Sequence, residues 1–160
     1  MTPTRILFVC LGNICRSAAA DGIMQHLVRQ ARLDNRIEVD SAGTYGGHSG
    51  QLPDPRMCHH ASLRGYDLTH RARKVSSADF HDFDLIVAMD YNNVIDLRRL
   101  APSPEAEAKI VQMADFIAHN RFYDYVPDPY YEGAEGFELV LDMLEEGCQN
   151  LLEKILNGTI

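Results

Sequence analysis

A nucleophile and a cation stand close together near the start of the chain, where residues 10–17 read Cys-Leu-Gly-Asn-Ile-Cys-Arg-Ser. The thiolate of Cys10 would be the nucleophile, because a thiolate attacks where a thiol does not. Arg16 offers two parallel N–H donors that match the oxygens of a phosphate group. The segment therefore predicts a phosphate-binding loop with a nucleophilic cysteine at its mouth.

The other residues of this segment suit a loop that surrounds an anion. Gly12 permits a positive φ, and Asn13 is the residue other than glycine that best tolerates a left-handed turn. Ser17 is predicted to cap the following helix, and its hydroxyl could also hydrogen-bond the Cys10 sulfur. Loop N–H groups and a helix N-terminus would face the anion. The predicted phosphate-binding residues are Leu11, Gly12, Asn13, Ile14, Cys15, Arg16 and Ser17.

The spacing Cys-x5-Arg is not specific by itself, because Cys58 and Arg64 share it. That second match has no glycine between the two residues and lies in a helix-like pattern, which predicts a half-buried helical cysteine. Cys10 instead follows the apolar run at 6–9 and precedes a helical pattern. Its position between a strand and a helix distinguishes it.

Strand-like and helix-like segments alternate along the chain. Strands are predicted at 6–9, 37–41, 85–89 and 109–113, and helices at 18–31, 55–64, 91–100 and 137–155. Asp54 and Asp90 are predicted N-caps, and the helical apolar face makes Cys148 a core residue. This alternation predicts an α/β fold, a parallel sheet with helices on both faces, whose ligands lie beyond the carboxyl ends of the strands.

Composition narrows the function classes. A length of 160 residues fits one domain, here 1–160, and the net charge of −8 argues against a nucleic-acid-binding protein. Four cysteines are too few for a secreted disulfide scaffold, and no second Cys or His pair completes a zinc site. No apolar run is long enough for a membrane span or a signal peptide. We expect a cytoplasmic protein without a metal.

The sequence resembles the low-molecular-weight protein tyrosine phosphatases, whose loop reads V-C-x-G-N-x-C-R-S-P. Residues 9–17 match this loop throughout, and further matches lie at 40–44, 54–56, 70–73, 83–86, 89–90 and 126–131. The resemblance implies a three-layer α/β/α fold with a four-stranded parallel sheet of strand order 2-1-3-4, and no cofactor. Two positions depart from the family: Ala18 replaces a proline, and Gly47 stands where members often carry an aromatic residue on the pocket rim.

The resemblance also implies catalytic roles for Cys10, Arg16 and Asp128. Cys10 would form a phosphocysteine, Arg16 would stabilise the transferring group, and Asp128 would act as general acid and then as base. Two Asp-Pro pairs compete for the acid, at Asp54 and Asp128. A capping role would occupy the Asp54 carboxylate, whereas Asp128 lies in a proline-bracketed segment that cannot be helical. Asp128 is therefore preferred.

Supporting residues are assigned from the same resemblance. Asn13, Ser17, Ser41 and His70 match positions that hold the loop in shape by hydrogen bonds, and Leu11, Gly47, Tyr130 and Tyr131 match the pocket wall. The two tyrosines would grip a flat aromatic ring. A tyrosine kinase acting on Tyr130 or Tyr131 is a further implied partner.

Cys15 has two interpretations. It is either a small loop residue or the partner of Cys10 in a reversible disulfide that protects the nucleophile, and the second is preferred.

The function predicted is hydrolysis of aryl phosphate monoesters, with phosphotyrosine-containing proteins as substrates. A thiol-dependent arsenate reductase on the same fold is an alternative, but its usual relay lacks a cysteine between Cys58 and Cys148. A non-catalytic phosphopeptide binder is another alternative. It would be expected to lack Cys10 or Asp128.

Overall fold

The computed structural model describes residues 2–118 and 123–160, and its centre is a four-stranded sheet. The strands are β1 (Thr4–Cys10), β2 (Ile37–Gly43), β3 (Leu85–Ala88) and β4 (Ile110–Gln112). All neighbours pair in parallel, in the order β2-β1-β3-β4. The predicted sheet and its strand order are confirmed.

Helices cover both faces of the sheet. The helices are α1 (Arg16–Gln30), α2 (Pro55–Ser62), α3 (Asp79–Asp82), α4 (Tyr91–Leu100), α5 (Pro104–Glu107) and α6 (Ala134–Leu156), with a 3₁₀ turn at Met113–Phe116. Alternate residues of β1 point to opposite faces, as the period of a strand requires. Ile6 and Phe8 join a core with α1, α2 and α6, whereas Leu7 and Val9 join one with α3, α4 and α5. The fold therefore has the three predicted layers.

Two of the three predicted helix caps are present in the structure, and the third is not. Asp54 caps α2 by accepting the N–H of Arg56, and Asp90 caps α4. The predicted cap at Ser17 is wrong. Helix α1 begins at Arg16, with Cys15 at the cap position and no side-chain cap, because the Ser17 hydroxyl is engaged elsewhere.

The sheet fixes the start of the loop at 10–17. Strand β1 ends at Cys10, and beyond this end the loop stays fastened to the segment after β2. Thr44 N–H donates to Cys10 O (3.0 Å), and Tyr45 N–H donates to Leu11 O (2.9 Å). The loop is thus held at the carboxyl edge of the sheet, where ligands of parallel sheets lie.

Helix α6 closes the core. Cys148 lies on its inner face and is fully buried, as predicted. Among the described residues, no helix combines the length and the apolar character needed to cross a membrane.

Candidate active site

The backbone of the loop turns at Asn13, which has a φ of 58°. The prediction that Gly12 supplies the positive φ is wrong, because Asn13 alone in the loop lies in the left-handed region. Gly12 instead leaves space for a neighbouring ring. A Cβ on Gly12 would lie 3.0 Å from Cδ2 of His48, whose ring lines the pocket.

The sulfur of Cys10 is surrounded by donors. Asn13 N–H donates to the sulfur at 3.3 Å, and the Ser17 hydroxyl lies 3.0 Å from it. Ser17 Oγ accepts a hydrogen bond from Asn13 Nδ2 (2.8 Å), and its own hydrogen has two acceptors within reach, the Cys10 sulfur at 3.0 Å and Ala42 O at 3.5 Å. The sulfur also lies at the N-terminus of α1. These donors and the N-terminus of α1 surround the sulfur with partial positive charge.

The side chain of Asn13 is fixed from the far side of the loop. Its Oδ1 accepts the N–H of Arg73 (3.1 Å) and lies 3.1 Å from Nε2 of His70. The amide oxygen therefore faces Arg73 and His70, and the amide nitrogen faces Ser17. Of the predicted supporting residues, Asn13, Ser17 and His70 thus form one connected chain that ends at the sulfur of Cys10.

Ser41 lies one step further from the loop. Its hydroxyl donates to Oδ2 of the buried Asp21 (2.8 Å), and that oxygen lies 3.7 Å from Nδ1 of His70. The structure therefore places Ser41 behind His70, in contact with Asp21. Sequence reasoning missed Asp21, which a helical pattern alone does not distinguish from other polar residues of α1.

Asp21, Asp40 and His70 together could hold a metal ion, since their ligand atoms lie within 4.8 Å of one another. Protein groups already use these carboxylates, however. Asp21 accepts from Gln25 and Ser41, and Asp40 accepts from Arg73. Burial raises the pKa of Asp21, against the hydrogen bonds from Gln25 and Ser41. The group is a hydrogen-bonded support beneath the loop.

Arg16 is almost fully buried, with 2% of its surface exposed. Its Nη1 donates to Asp90 Oδ2 (2.6 Å) and to Val126 O (3.0 Å), and its Nη2 lies 3.6 Å from Asp128 Oδ2. Burial opposes its charge, but the Cys10 sulfur, Asp90 and Asp128 outweigh burial and raise the pKa of Arg16.

The Nε of Arg16 is a buried donor that has no hydrogen-bond partner among residues 2–118 and 123–160. Unpaired buried donors are rare and call for an explanation. Nε and Nη2 form one edge of the guanidinium, the edge that binds two oxygens of a phosphate group in parallel. Nη1, on the other side, is anchored by protein acceptors. Arg16 is therefore held so that Nε and Nη2 can bind two oxygens of an oxyanion.

Asp90 is a site residue that the sequence did not reveal as such. Its Oδ1 caps α4 by accepting the N–H of Asn93 (2.9 Å), as predicted, and its Oδ2 binds Arg16. A separation of 74 positions between Asp90 and Arg16 hides this contact from any local pattern.

The two candidate acids occupy different places. Asp128 lines the pocket with Cys10, is 41% exposed at its side chain, and accepts the N–H of Tyr130 at 3.1 Å. Asp54 does not line it. Asp54 pairs through both oxygens with Arg56, and this hydrogen bonding lowers the pKa of Asp54. The geometry favours Asp128 over Asp54 as the acid.

The pocket is a cavity of about 240 Å³. Its floor is the loop, and its walls are one aliphatic side chain, four rings and one carboxylate: Leu11, Tyr45, His48, Tyr130, Tyr131 and Asp128. The expectation for Gly47 is wrong, because Gly47 does not line the cavity. A Cβ on Gly47 would lie 2.1 Å from Tyr45 Oη, so the glycine makes room for Tyr45. Tyr45 and His48 were missed, although both follow the carboxyl end of β2.

The four cysteines are free, and two of them, Cys10 and Cys15, lie in the phosphate-binding loop. Burial, and after it the charge of Asp54, raises the pKa of the Cys15 thiol well above its usual range. The predicted disulfide of Cys15 with Cys10 stays a prediction.

Comparison with known proteins gives the same family over the whole length. The family model described as low molecular weight phosphotyrosine protein phosphatase matches residues 5–158. A low molecular weight protein-tyrosine-phosphatase of Streptomyces coelicolor is 41% identical over 152 residues, covering 94% of this chain and 93% of the relative. A crystal structure of a protein tyrosine phosphatase from Entamoeba histolytica is 42% identical, with a TM-score of 0.94 over 98% of this chain and 99% of that one. The structure of YfkJ from Bacillus subtilis is 36% identical, with a TM-score of 0.92 over 100% and 99%. The chain belongs to the low molecular weight phosphotyrosine protein phosphatase family.

Proposed function

We propose that this protein hydrolyses phosphotyrosine in proteins, and other aryl phosphate monoesters, through a phosphocysteine intermediate. The observation that carries the proposal is the unpaired Nε of the buried Arg16, which shares one pocket with the sulfur of Cys10 and the carboxylate of Asp128. This arrangement supplies an anion site, a nucleophile and an acid together.

In the first step the Cys10 thiolate attacks phosphorus, and an S–P bond forms as the P–O bond to the aryl group breaks. Asp128, as the carboxylic acid, gives its proton to the leaving phenolate oxygen. Nε and Nη2 of Arg16 and the N–H groups of residues 11–17 stabilise the charge on the phosphoryl oxygens.

In the second step water attacks the phosphocysteine. The Asp128 carboxylate takes a proton from the water, the S–P bond breaks, and inorganic phosphate leaves with the Cys10 thiolate restored. The Ser17 hydroxyl, 3.0 Å from the sulfur, stabilises this thiolate as a leaving group. Neither step requires a metal or a cofactor.

The pocket walls support an aromatic substrate. Tyr45, Tyr130 and Tyr131 line the cavity and present ring surfaces to a flat phenyl group. This favours aryl esters over arsenate, a small ion that these rings would not contact. A phosphopeptide binder would not need the acid at Asp128.

Three finer proposals concern partners and setting. We propose Tyr131 as the residue that a tyrosine kinase would modify, because 92% of its surface is exposed, whereas Tyr130 is half-buried. We also propose that residues 1–160 act as a single domain, and that the protein works in the reducing cytoplasm, where free cysteines persist.

Turnover of p-nitrophenyl phosphate in excess chelator tests the proposed function. We expect activity in the wild-type protein and none in Cys10→Ser, with Cys148→Ser as the control for a buried cysteine outside the pocket. Absence of wild-type turnover, or full activity in Cys10→Ser, would contradict the proposal.

A further inference from the structure

We infer that Arg56 is a positioning residue, which ties the segment carrying Asp128 to the phosphate-binding loop through Asp54. The inference rests on the proposed function, because it concerns how the acid is held against the leaving group. Arg56 itself lies outside the pocket lining.

Asp54 connects Arg56 to the phosphate-binding loop. Its N–H donates to Ile14 O (2.8 Å), so its backbone is joined to the phosphate-binding loop. Its carboxylate accepts from Arg56 Nε (3.0 Å) and Nη2 (2.8 Å). The Asp54 side chain is 8% exposed and that of Arg56 47% exposed. A two-point fork on a buried, anchored carboxylate fixes the plane of the guanidinium relative to the loop.

Tyr130 connects Arg56 to the proposed acid, Asp128. The guanidinium carbon of Arg56 lies 5.3 Å from the ring centre of Tyr130 and 4.9 Å from that of Phe137. Both distances are within the range of a cation–π contact. Tyr130 in turn donates its N–H to Asp128 Oδ1. Arg56 therefore holds Tyr130 against the start of α6, and Tyr130 holds the carboxylate.

Other contacts of the described residues hold the segment that carries Asp128 at Val126 and at Asp128 itself. The residues between Val126 and α6 form no helix or strand, and the Val126 N–H donates to Met89 O at 2.8 Å. Beyond that point, among the described residues, the Asp128 carboxylate accepts the Tyr130 N–H and pairs with Nη2 of Arg16 at 3.6 Å. Loss of the Arg56 contacts would leave the acid free to move out of line with the leaving oxygen, and misplacement by about 1 Å is costly in catalysis.

A purely structural role for Arg56 makes a different prediction. If Arg56 only pairs with Asp54 at the start of α2 and covers Phe137, its loss would lower turnover of all esters in the same proportion. If it positions the acid, the loss depends on the leaving group. Phenolate needs a proton as it leaves, whereas 2,4-dinitrophenolate does not, so the acid matters for the first ester and hardly for the second.

The test compares Arg56→Met with the matched control Arg5→Met on phenyl phosphate and 2,4-dinitrophenyl phosphate. The Arg5 side chain is as exposed as that of Arg56 and also pairs with a carboxylate, that of Glu38, at 2.8 Å. It lies at the end of β1 opposite to Cys10, away from the pocket. We expect kcat/KM of Arg56→Met to fall about tenfold on phenyl phosphate, from the loss of two cation–π contacts, and less than about threefold on the dinitrophenyl ester. Arg5→Met should match the wild type on both.

Two further variants complete the test. Asp54→Asn keeps the helix cap but releases the fork, so it should show the same preference for the activated ester. In an Asp128→Asn background, Arg56→Met should have no further effect on phenyl phosphate, because the acid through which it acts is gone.

An equal loss on both esters, or an additive loss in the Asp128→Asn background, would overturn the inference and leave the proposed function standing. Wild-type protein that turns over neither ester would overturn the proposed function and the inference with it.

Discussion

Asp90 makes two contacts that one substitution can separate. Its Oδ1 caps α4 on the N–H of Asn93, and its Oδ2 lies 2.6 Å from Nη1 of the buried Arg16. Asp90→Asn keeps an acceptor for the cap, since asparagine caps helices as well as aspartate does. It removes the charge that holds Arg16, so stability and activity should respond differently.

The size of the effect follows from the contact that is lost. A hydrogen bond to a charged group contributes about 1.5–3 kcal/mol, and each 1.36 kcal/mol is tenfold in rate. Arg16 is 2% exposed, so water cannot replace Asp90. If Arg16 needs Asp90 to hold its fork in place, kcat/KM for p-nitrophenyl phosphate should fall about 10- to 100-fold in Asp90→Asn.

Asn93→Ala is the matched control. It removes the other half of the capping box, the acceptor for Met89 N–H and Asp90 N–H, and leaves the Asp90–Arg16 pair intact. We expect it to lower the melting temperature by about 5 °C, from roughly 2 kcal/mol, with kcat/KM within about threefold of wild type. Steady-state kinetics and thermal unfolding measure both variants. Asp90→Asn with unchanged kcat/KM would refute the reasoning.

Three further variants test other contacts. Gly47→Ala places a Cβ 2.1 Å from Tyr45 Oη, so Tyr45 must move, and KM for p-nitrophenyl phosphate should rise roughly two- to fivefold at similar kcat; an unchanged KM contradicts this. The hydrogen bond from Arg64 lowers the pKa of Glu138. The pair therefore stabilises the fold at pH values above the ordinary glutamate pKa of about 4.3, and this stabilisation is lost as the pH falls through the lowered pKa. Glu138→Gln should therefore lose about 0.5 kcal/mol less stability than wild type between pH 7 and pH 3 in urea unfolding, a small figure because the Glu138 side chain is 41% exposed and its charge is screened; identical pH dependence argues against the pair. Ala18→Pro, in the first turn of α1, should raise the melting temperature by about 1–3 °C with kcat retained, since proline restricts the unfolded chain; a lower melting temperature would show that the turn does not accept proline.

The features that sequence reasoning found have local signals. The apolar run before Cys10 and the residues up to Ser17 specify a strand, a loop and a helix within a few positions. The caps at Asp54 and Asp90 depend on a side chain and an N–H two or three residues away. Alternating segments then leave few topologies for a parallel sheet.

The features that it missed depend on contacts between distant residues. Nothing near Arg16 indicates that Asp90 and Val126 O will bind its Nη1. The Ser17 hydroxyl could cap a helix or face a sulfur, and only the packed loop decides between them. Gly47 was assigned to the pocket wall from the family resemblance, whereas Tyr45 lines the pocket and Gly47 leaves room for its ring.

The most direct test of Cys10 as the nucleophile is to trap the phosphoryl group on it. Asp128→Asn should react with 2,4-dinitrophenyl phosphate, which needs no acid, and then stall, because the base for the second step is missing. Rapid quenching and peptide mass analysis should find about one phosphoryl group per chain on Cys10, together with a matching burst of dinitrophenolate. A phosphoryl group on another residue, or a burst with Cys10 unmodified, would contradict the account.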